Sequence, residues 1–175
     1  MSDTDFPITK LYELGRMSQA GDEITITPTA EERAHIAQWA DVQAINAFTA
    51  KIDLKKVSHT RFKLDVTLDA DIVQACVVTL EPVHSHIERT FVRELLLIQA
   101  PQQAVKEIEL TPVDDDGREE IESLRYDLAV PVLEEFALAI DPYPRAPGVA
   151  FEPPTDEADS ADHPFAALKS LKNRS

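Results

Sequence analysis

Cysteine is nearly absent: Cys76 stands alone among 175 residues. One thiol excludes an intrachain disulfide framework and fits a reducing compartment. Glycine is almost as scarce. Gly15, Gly21, Gly117 and Gly148 are too scattered to build a phosphate-cradling loop. No run approaches the roughly eighteen apolar residues of a membrane span. Met1 to Lys10 carry acids and Pro7 where a secretory signal would carry a basic and then an apolar stretch. A cytoplasmic protein with no membrane contact is expected. Base is also short: 17 Lys and Arg face 32 Asp and Glu, a net charge of −15. That charge favours solubility and repels polyanions at long range, so indiscriminate nucleic-acid binding is not expected. A basic face kept apart from the acids could still dock RNA.

What is present fits one core. The apolar fraction is 43%, and a chain of this length builds one sizeable domain with flanking extensions. We expect a single α+β domain over residues 1–150, an acidic linker over 151–162 and a short amphipathic segment over 163–175. Leu11 to Leu14 form a short opening segment. Glu23 to Thr27 read as a strand closed by Pro28. Thr29 and Glu32 have the spacing of a capping box, which predicts a helix over Ala30 to Trp39 with Ile36 and Trp39 turned to the core.

The centre alternates with period two. Phe48, Ile52 and Leu54 interleave with Lys51, Asp53 and Lys55. Phe62, Leu64, Val66 and Leu68 interleave with Arg61, Lys63, Asp65 and Asp69. These are half-buried strands joined by Ser58-His59-Thr60 as a hairpin. Ile72 to Leu80 is apolar on both parities and reads as a central strand covered on both faces. After Pro82, Val83, Ile87 and Phe91 face in while His84, His86, Glu88 and Thr90 face out, and Leu95 to Ile98 extend the run. The pattern predicts a twisted antiparallel meander of at least four strands, in a sheet of about five or six. Val105, Ile108 and Leu110 suggest an edge strand over Gln102 to Thr111, followed by an acidic loop over Asp114 to Glu120. Asp127 reads as an N-cap. Leu128, Val132, Leu133, Phe136 and Ile140 share one face of a helix that should cover the sheet. Asp141 to Gly148, rich in proline, ends it. Glu152 to Asp162 has the composition of a disordered linker.

Three segments carry a resemblance. They are the corner Cys76-Val77-Val78-Thr79-Leu80-Glu81-Pro82, the helix with its Asp141-Pro142-Tyr143-Pro144-Arg145 exit, and the terminal Pro164-Phe165-Ala166-Ala167-Leu168-Lys169-Ser170-Leu171-Lys172. Over about residues 5 to 172 the chain resembles the YceD family, the large ribosomal RNA subunit accumulation proteins of bacteria and plastids, long counted a domain of unknown function. The resemblance implies a non-enzymatic factor in ribosome biogenesis that supports accumulation or processing of 23S rRNA. Some members carry Cys-x-x-Cys at the corner and further cysteines after the helix, suggested to hold zinc. Here Thr79 replaces the second thiol and Asp141 to Gly148 contains none. One cysteine cannot supply four thiolates, so any shared function must not depend on that metal, and no cofactor is expected.

The remaining candidates separate by chemistry. Cys76, His84 and His86 have metal-ligating side chains, but Cys76 lies in an apolar run where a free cysteine acts as a small buried hydrophobe. Val77 and Val78 also argue against the electropositive setting a reactive thiolate needs. Glu134, Glu135 and Asp141 do not converge on one substrate, since neighbours on a helix diverge by about 100°; no catalytic site is expected. Lys51, Lys55, Arg61 and Lys63 share the outward parity of two neighbouring strands, with Lys56 near the turn. Such a cluster is the kind that binds a phosphate backbone, here of large-subunit rRNA or a pre-ribosomal particle. The alternative is an acidic adaptor or chaperone that attracts a basic ribosomal protein or assembly factor. Its partner-binding residues would be Phe165, Leu168 and Leu171 with Lys169 and Lys172, a stripe on a helix too short to fold without a surface.

Overall fold

The computed structural model describes residues 6–18, 20–98 and 118–149. Element order is β1 (Leu11–Glu13), a 3₁₀ turn (Leu14–Arg16), β2 (Asp22–Ile26), α1 (Ala30–Trp39), β3 (Ala44–Lys56), β4 (Arg61–Ala75), β5 (Pro82–Leu97), β6 (Glu119–Ile121), β7 (Arg125–Asp127) and α2 (Ala129–Ala139). The fold is mixed α+β. Five strands form one sheet in the order β2-β3-β4-β5-β6, and β1 pairs β7 apart from it. The pairs β2–β3, β3–β4 and β4–β5 are antiparallel, whereas β6 joins β5 in parallel at Leu95 to Leu97.

Alternation explains the core. The inward parity of β3 and β4 places Phe48, Ile52, Leu54, Phe62, Leu64, Val66, Leu68 and Ile72 out of water, while the outward parity carries the charges. α2 covers the inward face with Val132, Leu133 and Phe136, all fully buried. The Phe136 ring meets Phe48 edge-on at a centroid distance of 5.2 Å, a favoured aromatic geometry. α1 has the expected bounds, and its start is fixed because the capping box forms. The Glu32 N–H donates to the Thr29 hydroxyl and the Thr29 N–H donates to the Glu32 carboxylate at 2.7 Å. Ile36 is buried and Trp39 packs on the edge of the core, against Phe6. Arg33 ties this helix to the sheet by donating to the carbonyls of Ile45 and Pro28.

Four expectations need correction. Ile72 does not begin a strand. It belongs to β4, which runs unbroken from Arg61 to Ala75, because the outward acids Asp69 and Asp71 sustain the alternation into the apolar stretch. The run to Leu80 then leaves the sheet. Leu80 N–H donates to Cys76 O and Cys76 N–H to Glu81 O, closing a turn in which Leu80 has φ 63°. Glu119 and Glu120, read as loop, lie in β6. The sheet is therefore not wholly antiparallel. Asp127 acts one residue early: it accepts from Ala129 N–H at 3.0 Å and from Lys10 N–H, while Leu128 occupies the cap position. The expected strand at Gln102 to Thr111, the linker at 151–162 and the segment at 163–175 lie outside the described residues.

Candidate functional site

Both helices contact the inward side of the sheet or its rim, and the opposite side presents the charges. Register decides which of them meet. Lys55 stands directly across from Lys63, and Asp53 across from Asp65. Like charges in opposed positions repel, and here one carboxylate relieves the lysine pair. Asp65 lies 3.1 Å from Lys55 Nζ and 2.9 Å from Lys63 Nζ. These contacts, with the Lys63 hydrogen bond foremost, hold the Asp65 carboxyl below its ordinary range. Arg61 meets Glu94 at 3.2 Å, and Arg118 reaches the same carboxylate at 3.4 Å. Lys51 sits between Thr25 and Thr67. Lys56 has the opposite parity, across from Phe62 at the hairpin end, and is exposed. Four of the five cations proposed from the sequence thus share one face, and three of those four are ion-paired.

The same face carries more acid than base. Glu23, Asp53, Asp65, Asp69, Asp71, Glu88 and Glu94 stand with Lys51, Lys55, Arg61, Lys63 and His86. Glu23 and Asp65 flank Asp53 on either side, and Asp69 faces Glu88. His86 bridges two carboxylates, with Nδ1 2.8 Å from Asp71 and Nε2 3.4 Å from Asp69. The Asp71 hydrogen bond is the main cause that raises its imidazole above the ordinary value of 6.5.

Cys76 is buried apart from this face. Its sulfur accepts the Ala146 N–H at 3.4 Å, and Val77 N–H donates to Pro144 O at 2.9 Å. Hydrogen bonds, that of the Thr79 hydroxyl foremost, lower the thiol to about 6 although no surface of Cys76 is open to solvent. The turn and the exit of α2 are here joined by hydrogen bonds. Among the described residues no group of three or more His, Cys, Asp or Glu side chains is arranged to hold a metal.

Sequence reasoning missed a polar seam under α2. Arg93 lies on the inward parity and binds Glu134 at 2.8 Å, with Glu119 3.9 Å away. Tyr126 donates to Glu119 at 2.9 Å, and burial pushes its phenol well up. The signal was an arginine between Phe91 and Leu95 on the inward parity of β5. Glu134 is therefore a structural partner of β5.

Among the described residues no helix is long and apolar enough to cross a membrane. The family model for the large ribosomal RNA subunit accumulation protein YceD matches residues 64–172. That span runs from within β4 through α2, including the turn at Cys76 and the α2 exit. No curated protein and no solved structure matches the chain. The match covers more than half of the sequence, so the chain belongs to the YceD family, whose role lies in the accumulation of large-subunit ribosomal RNA.

Proposed function

We propose that this chain is a non-catalytic cytoplasmic assembly factor that promotes 23S rRNA accumulation by holding a basic ribosomal protein or assembly factor on the open face of its sheet. The observation that carries this reading is the charge of that face. Its carboxylates outnumber its cations, and Lys55, Lys63 and Arg61 are already engaged by Asp65 and Glu94. A phosphate backbone would meet net repulsion there, whereas a basic polypeptide would be steered toward it. Holding such a partner keeps it from binding RNA at random before its site on the particle is ready.

Direct contact with rRNA through Lys51, Lys55, Lys56, Arg61 and Lys63 is the second reading. It is favoured by Lys51 and Lys56, which are exposed and have no carboxylate partner among the described residues. In-cell photocrosslinking from a photoreactive residue in place of Thr67, central on the face, separates the two. Adducts with basic large-subunit proteins, reduced several-fold by D53N/D69N/E88Q and retained in K55E/R61E, are expected. Predominantly rRNA adducts that vanish in K55E/R61E would reject the first reading in favour of the second.

A further inference from the structure

The turn that ends β4 exposes apolar side chains which the open-face reading does not use. Leu80 is 76% and Val77 46% exposed, with Val78 between them in the chain's course through the turn. Leu80 holds φ 63°, a conformation that a branched aliphatic side chain rarely adopts. The α2 exit is fastened to this turn through Val77 N–H and Pro144 O. Tyr143, 71% exposed, therefore joins the same patch. Beside it opens a cleft of about 480 Å³ lined by Val42, Val77, Ile140, Pro142, Pro144 and Gln74. Gln74 is 7% exposed. Its Nε2 donates to Asp141 O at 2.8 Å, which fixes the amide orientation, and its Oε1 has no partner. Asp41 and Asp141 lie at the cleft and Glu81 on the turn, all exposed. An apolar patch rimmed by charge marks a surface that something covers.

The chain itself supplies an occupant of matching chemistry. Phe165, Leu168 and Leu171 recur every third residue, and Lys169, Lys172 and Arg174 accompany them, opposite in sign to Asp41, Glu81 and Asp141. The described chain stops at Val149, three positions beyond the Ala146 that binds Cys76. Residues 150–164 reach up to about 50 Å when extended, ample for a return to the turn. A tether of that length sets an effective concentration near the millimolar range. A segment this short gains structure only on a surface.

We infer that residues 163–174 dock in cis on the Cys76–Glu81 turn, with Phe165 entering the cleft and the basic side chains meeting Asp41, Glu81 and Asp141. This goes beyond the open-face reading and does not depend on it. The test places p-benzoyl-phenylalanine at position 165 of the purified full-length chain and maps photoadducts by mass spectrometry. Intramolecular adducts to residues 77–80 or 140–144 are expected, at a yield unchanged on dilution. L80D and, separately, K169E/K172E should each lower that yield several-fold; Asp tolerates the left-handed conformation at position 80. Adducts between two chains would assign the surface to a second copy and overturn the inference. Adducts elsewhere, or none, would overturn it equally.

Discussion

Thr79 stands where a second thiol would make half of a metal clamp, and its hydroxyl is the foremost group lowering the Cys76 thiol to about 6. T79V should move the thiolate titration, followed by its ultraviolet absorbance, to higher pH; an unchanged midpoint would remove Thr79 from that role. A depressed thiol contributes stability that is present above its unfolded value and is lost as pH falls through about 6. His86 has the opposite sign. Asp71 and Asp69 raise its imidazole, so its contribution is present below 6.5 and lost as pH rises through the raised value. H86N should therefore lower the urea midpoint relative to the parent at acidic pH, and the gap should close in mild alkali. Chain order made these residues visible as candidates, but not their partners. Ala146 lies 70 positions from Cys76 and Glu94 33 from Arg61, distances that no local pattern encodes.

Among elements, those with strong periodicity were the readable ones. The capping box marked where α1 begins, and the alternation in β3, β4 and β5 named the buried parity correctly, since it is what removing one face from water requires. β6 escaped because three residues show no period, and its parallel partner is set by tertiary packing. The expected strand from Ile72 to Leu80 misjudged the break: two apolar parities at Ile72 and Val73 mark the covered end of a long strand whose turn follows. Two substitutions test the packing described. T29A should cost about 1 kcal/mol of stability through the lost cap. F136A should cost about 3–5 kcal/mol by emptying the space beside Phe48. Chemical denaturation measures both, and a smaller loss for F136A than for T29A would contradict the assigned interior.

Across the whole molecule, the sequence led us to expect anions and cations kept apart, and parity did place the hairpin cations together. Parity set Asp65 on that face as well, but it could not reveal that Asp65 and Glu94 come within ion-pairing distance of Lys55, Lys63 and Arg61. Removing those two acids makes a test of the charge argument. D65N/E94Q should raise affinity for an RNA oligonucleotide at low salt and steepen its salt dependence, because Lys55, Lys63 and Arg61 become available to phosphates. Binding unchanged from the parent would mean the ion pairs do not govern access.

The region matched by the family model begins inside β4, at Leu64. It is no folding unit, because β3 supplies the ladder along the other side of that strand. The outermost pairing reaches further still. β1 is joined to β7 through Leu11 to Asp127, Tyr12 to Tyr126 and Glu13 to Arg125, and Lys10 O accepts the Leu128 N–H. Contacts between residues so distant along the chain form late, after their closure entropy has been met. During synthesis the amino-terminal strand must therefore wait, unpaired, until the stretch around residue 127 has cleared the exit tunnel.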